Sequence, residues 1–139
     1  MPVKRYPLAK QSVELMQDGN VEMIALSDVP HNQMPLYLNA CDVLLLTSLH
    51  EGSPTIIKEA LACNLPIVST NVGDVGERVR TVEGCIVCED DQPETIAEGL
   101  RKVLTLGHRI DGRRSVLELD EQIMTQKLSS VYRAALHGK

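Results

Sequence analysis

The sequence has no tryptophan and no phenylalanine, and three tyrosines are its entire aromatic complement. Single-stranded nucleic acid is bound on aromatic faces set in a positive groove. Here 14 Lys and Arg stand against 19 Asp and Glu, and the basic runs are no longer than the pairs Lys4-Arg5, Arg101-Lys102 and Arg113-Arg114. Nucleic acid is therefore not expected as a partner, and the core has to be aliphatic. No apolar run approaches the roughly 18 residues that a spanning helix needs. The opening Met1-Pro2-Val3-Lys4-Arg5-Tyr6-Pro7 lacks the apolar stretch of a secretory signal, so the expected location is the cytoplasm. Gly-x-Ser-x-Gly, Gly-x-x-x-x-Gly-Lys and His-Glu-x-x-His are all missing, which removes the commonest signatures of hydrolase, P-loop and zinc-protease chemistry.

Cysteines are few: Cys41, Cys63, Cys85 and Cys88. The last two form a C-x-x-C, but Cys85-Ile86-Val87-Cys88 is a short apolar run after Gly84 and reads as a strand, in which residues three apart face opposite sides. A zinc site wants a second ligand pair, and a redox pair wants a helix N-terminus. The four thiols are expected to be reduced and structural.

What remains is an ordinary globular composition, 43% hydrophobic and 24% charged over 139 residues, enough for one core and thus a single domain over 1–139. Leu8, Ala9, Val13, Leu15 and Met16 follow helical spacing up to Asp18-Gly19-Asn20. Val21 to Leu26 reads as a strand and Gln33 to Asn39 as a short helix. Val43-Leu44-Leu45-Leu46-Thr47 is the unbroken apolar run of a strand buried on both faces. A helix over Thr55 to Cys63 leads to a strand over Ile67 to Thr70. A short helix near Glu77 to Arg80, the Cys85 strand and a helix opened by Pro93 follow. The spacing of Val116, Leu119, Ile123, Met124, Leu128, Val131 and Tyr132 predicts one long helix over about 115–136. Strands alternating with helices give an α/β fold, a Rossmann-like parallel sheet flanked by helices, with ligands at the carboxyl ends of the strands. No strand precedes Lys4, although such domains normally open on one. The chain is therefore expected to be a truncated piece of something longer, with a sheet edge and an apolar face open to self-association.

The loop after the most apolar strand carries the chemistry. Ser53 followed by Pro54 predicts a helix start, with Ser as N-cap and Pro at the first helical position. The free amides of Thr55 and Ile56 and the Ser53 hydroxyl then form a small anion site, and Gly52 lets the backbone approach a ligand. Glu51 and Glu59 bracket this site. Carboxylates accept hydrogen bonds from hydroxyls, so a sugar and a ribose flanking a diphosphate would suit them. His31 and His50 adjoin the loop and read as solvated side chains.

Three stretches resemble the family 4 glycosyltransferases, also called glycosyl transferases group 1, which have the GT-B fold. These are Asn39-Ala40-Cys41-Asp42-Val43-Leu44-Leu45-Leu46-Thr47-Ser48, then Glu51-Gly52-Ser53-Pro54 with Lys58-Glu59-Ala60-Leu61-Ala62-Cys63-Asn64-Leu65-Pro66-Ile67-Val68-Ser69-Thr70, and Val72-Gly73-Asp74. The resemblance runs from about Pro2 to Tyr132 and implies the C-terminal, donor-binding half of such an enzyme, without its first strand. By that resemblance Glu51 is a catalytic residue whose carboxylate faces hydroxyls of the transferred sugar, and Glu59 holds the ribose of the nucleotide. Gly52, Ser53, Pro54, Thr55 and Ile56 meet sugar and diphosphate, Lys4 neutralises the diphosphate, Val29 contacts the base and Gly73 lies near the donor. It implies a UDP-, GDP- or ADP-linked sugar as substrate, retaining transfer, no obligatory metal or other cofactor, and an acceptor-binding domain that this chain lacks. The family's donor-binding Arg on the first strand is absent. Isolated, such a piece would bind nucleotide weakly and be inactive. Two rivals share these features: a nucleotide-sugar epimerase of GT-B type, which needs no acceptor, and a non-catalytic interaction module, which would not depend on Glu59.

Overall fold

In the computed structural model, which describes residues 2–137, three short strands form a parallel sheet in the order β1-β2-β3. β1 is Leu44–Leu46, β2 is Ile67–Ser69 and β3 is Ile86–Val87. Leu44, Leu45 and Leu46 pair with Ile67, Val68 and Ser69, and Val68 and Ser69 pair in turn with Ile86 and Val87. Because side chains alternate along a strand, each strand feeds two cores. Leu44, Leu46, Ile67, Cys85 and Val87 join one apolar cluster with Leu38, Ile57, Leu61, Val75 and Val79. Leu45, Val68, Ile86 and Cys88 join the other, with Ile96, Leu100 and Val103. The run at 43–47 is continuously apolar for this reason: both faces of the sheet are covered.

The helices supply those covers. On the first face lie α2 (Met34–Ala40), α3 (Thr55–Ala62) and α4 (Val75–Val79). On the second lie α1 (Tyr6–Glu14) and α5 (Pro93–Leu106), which pack against each other. Pro93 sits in the first turn of α5, where its missing N–H costs nothing, and Gly107 ends the helix at φ +65. The cysteines are free; Cys85 faces one core and Cys88 the other, and burial pushes both thiols up to about 11. The alternation expected for the C-x-x-C is thus present.

Three expectations need correction. Val21 to Leu26 is not a strand. None of the described strands is hydrogen-bonded to it, and a segment without a hydrogen-bonded neighbour has no ladder to join, although Val21 packs on the same apolar cluster as Val43 and Leu45. Ile24, at its centre, is 54% exposed. The long helix expected over 115–136 is broken: a 3-10 turn spans Arg113–Leu119, Asp120 is extended, and α6 runs over Glu121–His137. The Asp120 carboxylate accepts the Gln122 amide at 2.9 Å, the bond of an N-cap, so Asp120 starts a new helix where apolar spacing alone saw continuity. Val116 before the break is buried, while Met124, Leu128, Val131 and Tyr132 after it are exposed. Finally, α1 stops at Glu14, and Gln17 rather than Gly19 takes the left-handed conformation at φ +52.

Candidate functional site

The carboxyl ends of β1 and β2 open into two loops that lock together. Gly73 has φ +52, and a Cβ there would lie 2.1 Å from the Gly52 carbonyl oxygen and 2.7 Å from that of Glu51. Glycine is required on both counts. The Asp74 amide donates to the Gly52 carbonyl at 3.0 Å, and the Asp74 Oδ2 accepts the Ser53 hydroxyl and the Arg78 Nε, each at 2.6 Å. Burial raises the Asp74 pKa, but these hydrogen bonds and the Arg78 and Lys58 charges outweigh it and hold the carboxyl below its usual range. Its Oδ1 is buried without a hydrogen-bond partner among the described residues.

This arrangement corrects the expected cap. Ser53 does not cap α3, because its hydroxyl donates to Asp74; Pro54 is the N-cap, with φ −66 and ψ 119, and no side chain bonds the first turn. The Ser53 hydroxyl, committed to Asp74, drops out of the expected anion site, and the backbone amides of the helix start remain. With α3 starting at Thr55, the first bond back is from the Ile57 amide to the Pro54 carbonyl at 3.2 Å. The Thr55 and Ile56 amides therefore have no partner within the helix and mark its positive end. Thr55 is exposed, whereas the Ile56 side chain packs into the core, so Ile56 can offer only backbone.

The opening segment of the chain completes the mouth of the site. The Leu49 amide donates to the Val3 carbonyl at 2.8 Å, and the Thr47 hydroxyl donates to the Lys4 carbonyl at 2.9 Å. Arg5 sends Nε to the Thr47 carbonyl at 2.7 Å, Nη2 to the Ser48 carbonyl at 2.9 Å and Nη1 to Asp91 at 2.6 Å. Held this way, Lys4 reaches Glu51: its Nζ donates to Glu51 Oε1, which also accepts the Ser48 hydroxyl at 2.8 Å. The Lys4 ammonium holds the Glu51 carboxyl below the usual carboxylate range, assisted by Ser48 and opposed by burial. Lys4 and Glu51, 47 residues apart in the chain, share one ion pair.

Glu59 lies further along α3 and has a separate neighbour. Its Oε1 is 3.3 Å from Nδ1 of His31, so the 28–31 loop, with half-buried Val29, is brought beside it. Glu59 also lines an open groove between α3 and the 113–120 segment, with Lys58, Arg113 and Leu117. His50 is exposed. The predicted residues thus fall into two groups joined by α3. One holds Lys4, Glu51, Gly52, Ser53, Gly73 and the helix start, and the other holds Glu59 with the Val29 loop.

Sequence reasoning missed Arg5, Ser48, Asp74 and Asp91. Ser48, three residues before Glu51, and Asp74, directly after Gly73, stood inside the quoted motifs, and loop proximity could have pointed to them. Arg5 and Asp91 are 86 residues apart, and no local signal links them. His31 is 87% exposed, as expected of a solvated side chain, and its Nδ1 also lies beside Glu59.

Comparison with known proteins bears on the family and the fold. The family model described as Glycosyl transferases group 1 matches residues 5–106. A Bacillus subtilis protein named as a teichuronic acid biosynthesis glycosyltransferase, TuaC, is 44% identical over 61 residues, 44% of this chain and 15% of that protein. The N-acetyl-alpha-D-glucosaminyl L-malate synthase of Bacillus anthracis is 27% identical over 118 residues, covering 84% of this chain and 27% of that protein. Among solved structures, the sucrose-phosphate synthase of Thermosynechococcus elongatus superposes with a TM-score of 0.73 at 19% identity, over 96% of this chain and 35% of that one. The chain matches about a quarter or less of the length of these two curated relatives. Its α/β fold is that of a GT-B glycosyltransferase domain, and the chain belongs to the glycosyl transferases group 1 family.

Proposed function

We propose that this chain is a single nucleotide-sugar-binding domain over 1–139, the donor half of a retaining glycosyltransferase that moves a sugar from a nucleotide diphosphate sugar to an acceptor. The observation that carries this reading is the convergence of Lys4, Glu51 and the open end of α3 at the carboxyl end of β1. A diphosphate placed there meets a cation, two free amides and a helix dipole. Glu51 accepts hydroxyls of the transferred sugar and Glu59 those of the ribose; Val29 contacts the base. Gly52, Ser53, Pro54 and Gly73 shape the backbone against sugar and diphosphate.

Catalysis follows from charge development. As the glycosidic bond breaks, negative charge grows on the departing diphosphate, so Lys4 and the Thr55 and Ile56 amides bind the transition state more tightly than the ground state. In this mechanism the protein's own cation and dipole do the neutralising, and no obligatory metal is assigned. The acceptor is held by a domain outside this chain, without which the advantage of positioning donor against acceptor is lost and the isolated piece is inactive. In this reading the reaction is a cytoplasmic one. None of the described helices is long and apolar enough to cross a membrane.

The test is an NMR titration of the chain with UDP, GDP and ADP and with their glucose or mannose conjugates. One nucleotide should shift the amides of Lys4, Val29 and Ser53 to Glu59, and Glu59→Ala should abolish the response. Intact spectra with no binding at millimolar nucleotide would sink the proposal.

A further inference from the structure

The two residues assigned to opposite ends of the donor, Lys4 to the diphosphate and Glu51 to the sugar, are bonded to each other. Resting on the donor-site reading above, we propose that Lys4 is a shared cation. It is held by Glu51 while the site is empty and passes to the diphosphate when a nucleotide sugar binds, with Glu51 turning to the sugar hydroxyls.

The surroundings fit an exchange and not a fixed pair. The Lys4 side chain is 53% exposed and that of Glu51 is 17% exposed, so the cation is the member free to swing. Its backbone root is fixed, because the Lys4 carbonyl accepts the Thr47 hydroxyl. Glu51 keeps an anchor when Lys4 leaves: the hydroxyl of fully buried Ser48 bonds the same Oε1. The Ser48 carbonyl is pinned in turn by Arg5 and by the Thr70 hydroxyl at 2.9 Å. Arg5 is the neighbouring cation in the chain, but its guanidinium is committed to two carbonyls and Asp91, so of the two Lys4 is the exchangeable charge. A diphosphate carries more charge than one carboxylate and so competes for the ammonium.

The consequence is discrimination between substrate and product. A nucleotide sugar breaks the pair and replaces it twice, at the diphosphate and at Glu51. A nucleoside diphosphate breaks the same pair and leaves Glu51 without the sugar, so Lys4 returns to Glu51 and the spent nucleotide is released.

A double-mutant cycle on the whole chain tests this, with Lys4→Met, Glu51→Gln and the double variant titrated against UDP, GDP and ADP and their glucose conjugates. Glu51→Gln should tighten binding of the bare diphosphate about threefold to fivefold, the scale of an exposed ion pair. It should also lower the preference for the sugar conjugate, and the gain should vanish in the Lys4→Met background. A gain that persists without Lys4 is a general charge effect and overturns the exchange, as does weaker diphosphate binding by Glu51→Gln. In both cases wild-type binding leaves the donor reading standing, whereas no binding by wild type or Glu51→Gln overturns the two together. A mutation-free check follows the Glu51 carboxyl by carbon NMR: its pKa should rise on saturation with the bare diphosphate as Lys4 departs, and an unchanged value refutes the exchange.

Discussion

The segment from β1 to α4 and the segment from Val21 to His31 both carry residues assigned to the donor, yet the fold holds them in different ways. The first is wedged between two cores, with Ile57, Leu61, Ile67, Val68, Val75 and Val79 wholly buried and its two loops interlocked at Gly73. The second has strand-like sequence but no hydrogen-bonded partner among the described strands, and at its far end meets α3 where His31 touches Glu59. An apolar alternation becomes a strand only where a neighbour supplies the ladder. The difference separates a tightly packed part of the candidate site, around the start of α3, from a part around Val29 that fewer contacts hold.

The comparison breaks most sharply at glycine. Gly73→Ala combines a left-handed φ with a Cβ driven into the Gly52 backbone, and should cost more than about 3 kcal/mol, enough to lose a cooperative unfolding transition in urea. Gly19→Ala, with open space around it just before the loose segment, should leave the denaturation midpoint within about 0.5 kcal/mol of wild type. Equal effects at the two positions would mean that the loops are not interlocked as described.

A pair of isoleucines sharpens the same contrast. Ile67→Ala empties a fully buried position in the central strand and should cost about 3 kcal/mol, whereas Ile24→Ala should fall within about 0.5 kcal/mol. Chemical denaturation of both variants decides. If Ile24→Ala costs as much as Ile67→Ala, Val21 to Leu26 is packed as a strand would be.

Residues that act through their neighbours in sequence were legible. The β1 run, the Ser-Pro start near α3, the Pro93 opening of α5 and the two-faced C-x-x-C all follow from local spacing, whereas the separation of Glu51 and Glu59 is too common in helices to single them out, and only the family resemblance of the residues around them does so. What was illegible depended on partners elsewhere. Val21 to Leu26 needed a neighbouring strand that periodicity cannot supply. Ser53 satisfied every local rule for a cap, yet its hydroxyl went to Asp74, 21 residues on. Asp120 broke the last helix because one carboxylate captured an amide two residues ahead, within a stripe whose apolar spacing ran unbroken.

Arg5 is the residue whose removal should loosen the rigid part without touching either core. Replacing it by Met leaves the Thr47 carbonyl without its Arg5 partner, takes one of two partners from Ser48 and frees Asp91, for an expected loss of about 2 kcal/mol. Hydrogen exchange should show faster amides at Leu49, whose bond to Val3 depends on the same segment, with α5 amides unchanged. Uniform acceleration across the chain would assign Arg5 a global role instead.

The smallest expected effect concerns acid. Asp74 and Glu51 are both held below the ordinary carboxylate range in the folded chain, so the unfolded state binds protons first as pH falls. Their contribution is complete above the unfolded value, about pH 4, and disappears as pH drops through the lower folded value. Asp74→Asn should therefore narrow the gap between melting temperatures measured at neutral pH and at about pH 3. His31→Gln, in the loose segment, should leave that acid limb as it is, because the folded-state anchors of Asp74 and Glu51 lie with Ser53, Arg78, Lys4 and Ser48. An acid limb unaltered by Asp74→Asn would show that the carboxylate joining the two loops adds no stability of its own, and that the interlock rests on the backbone contact at Gly73.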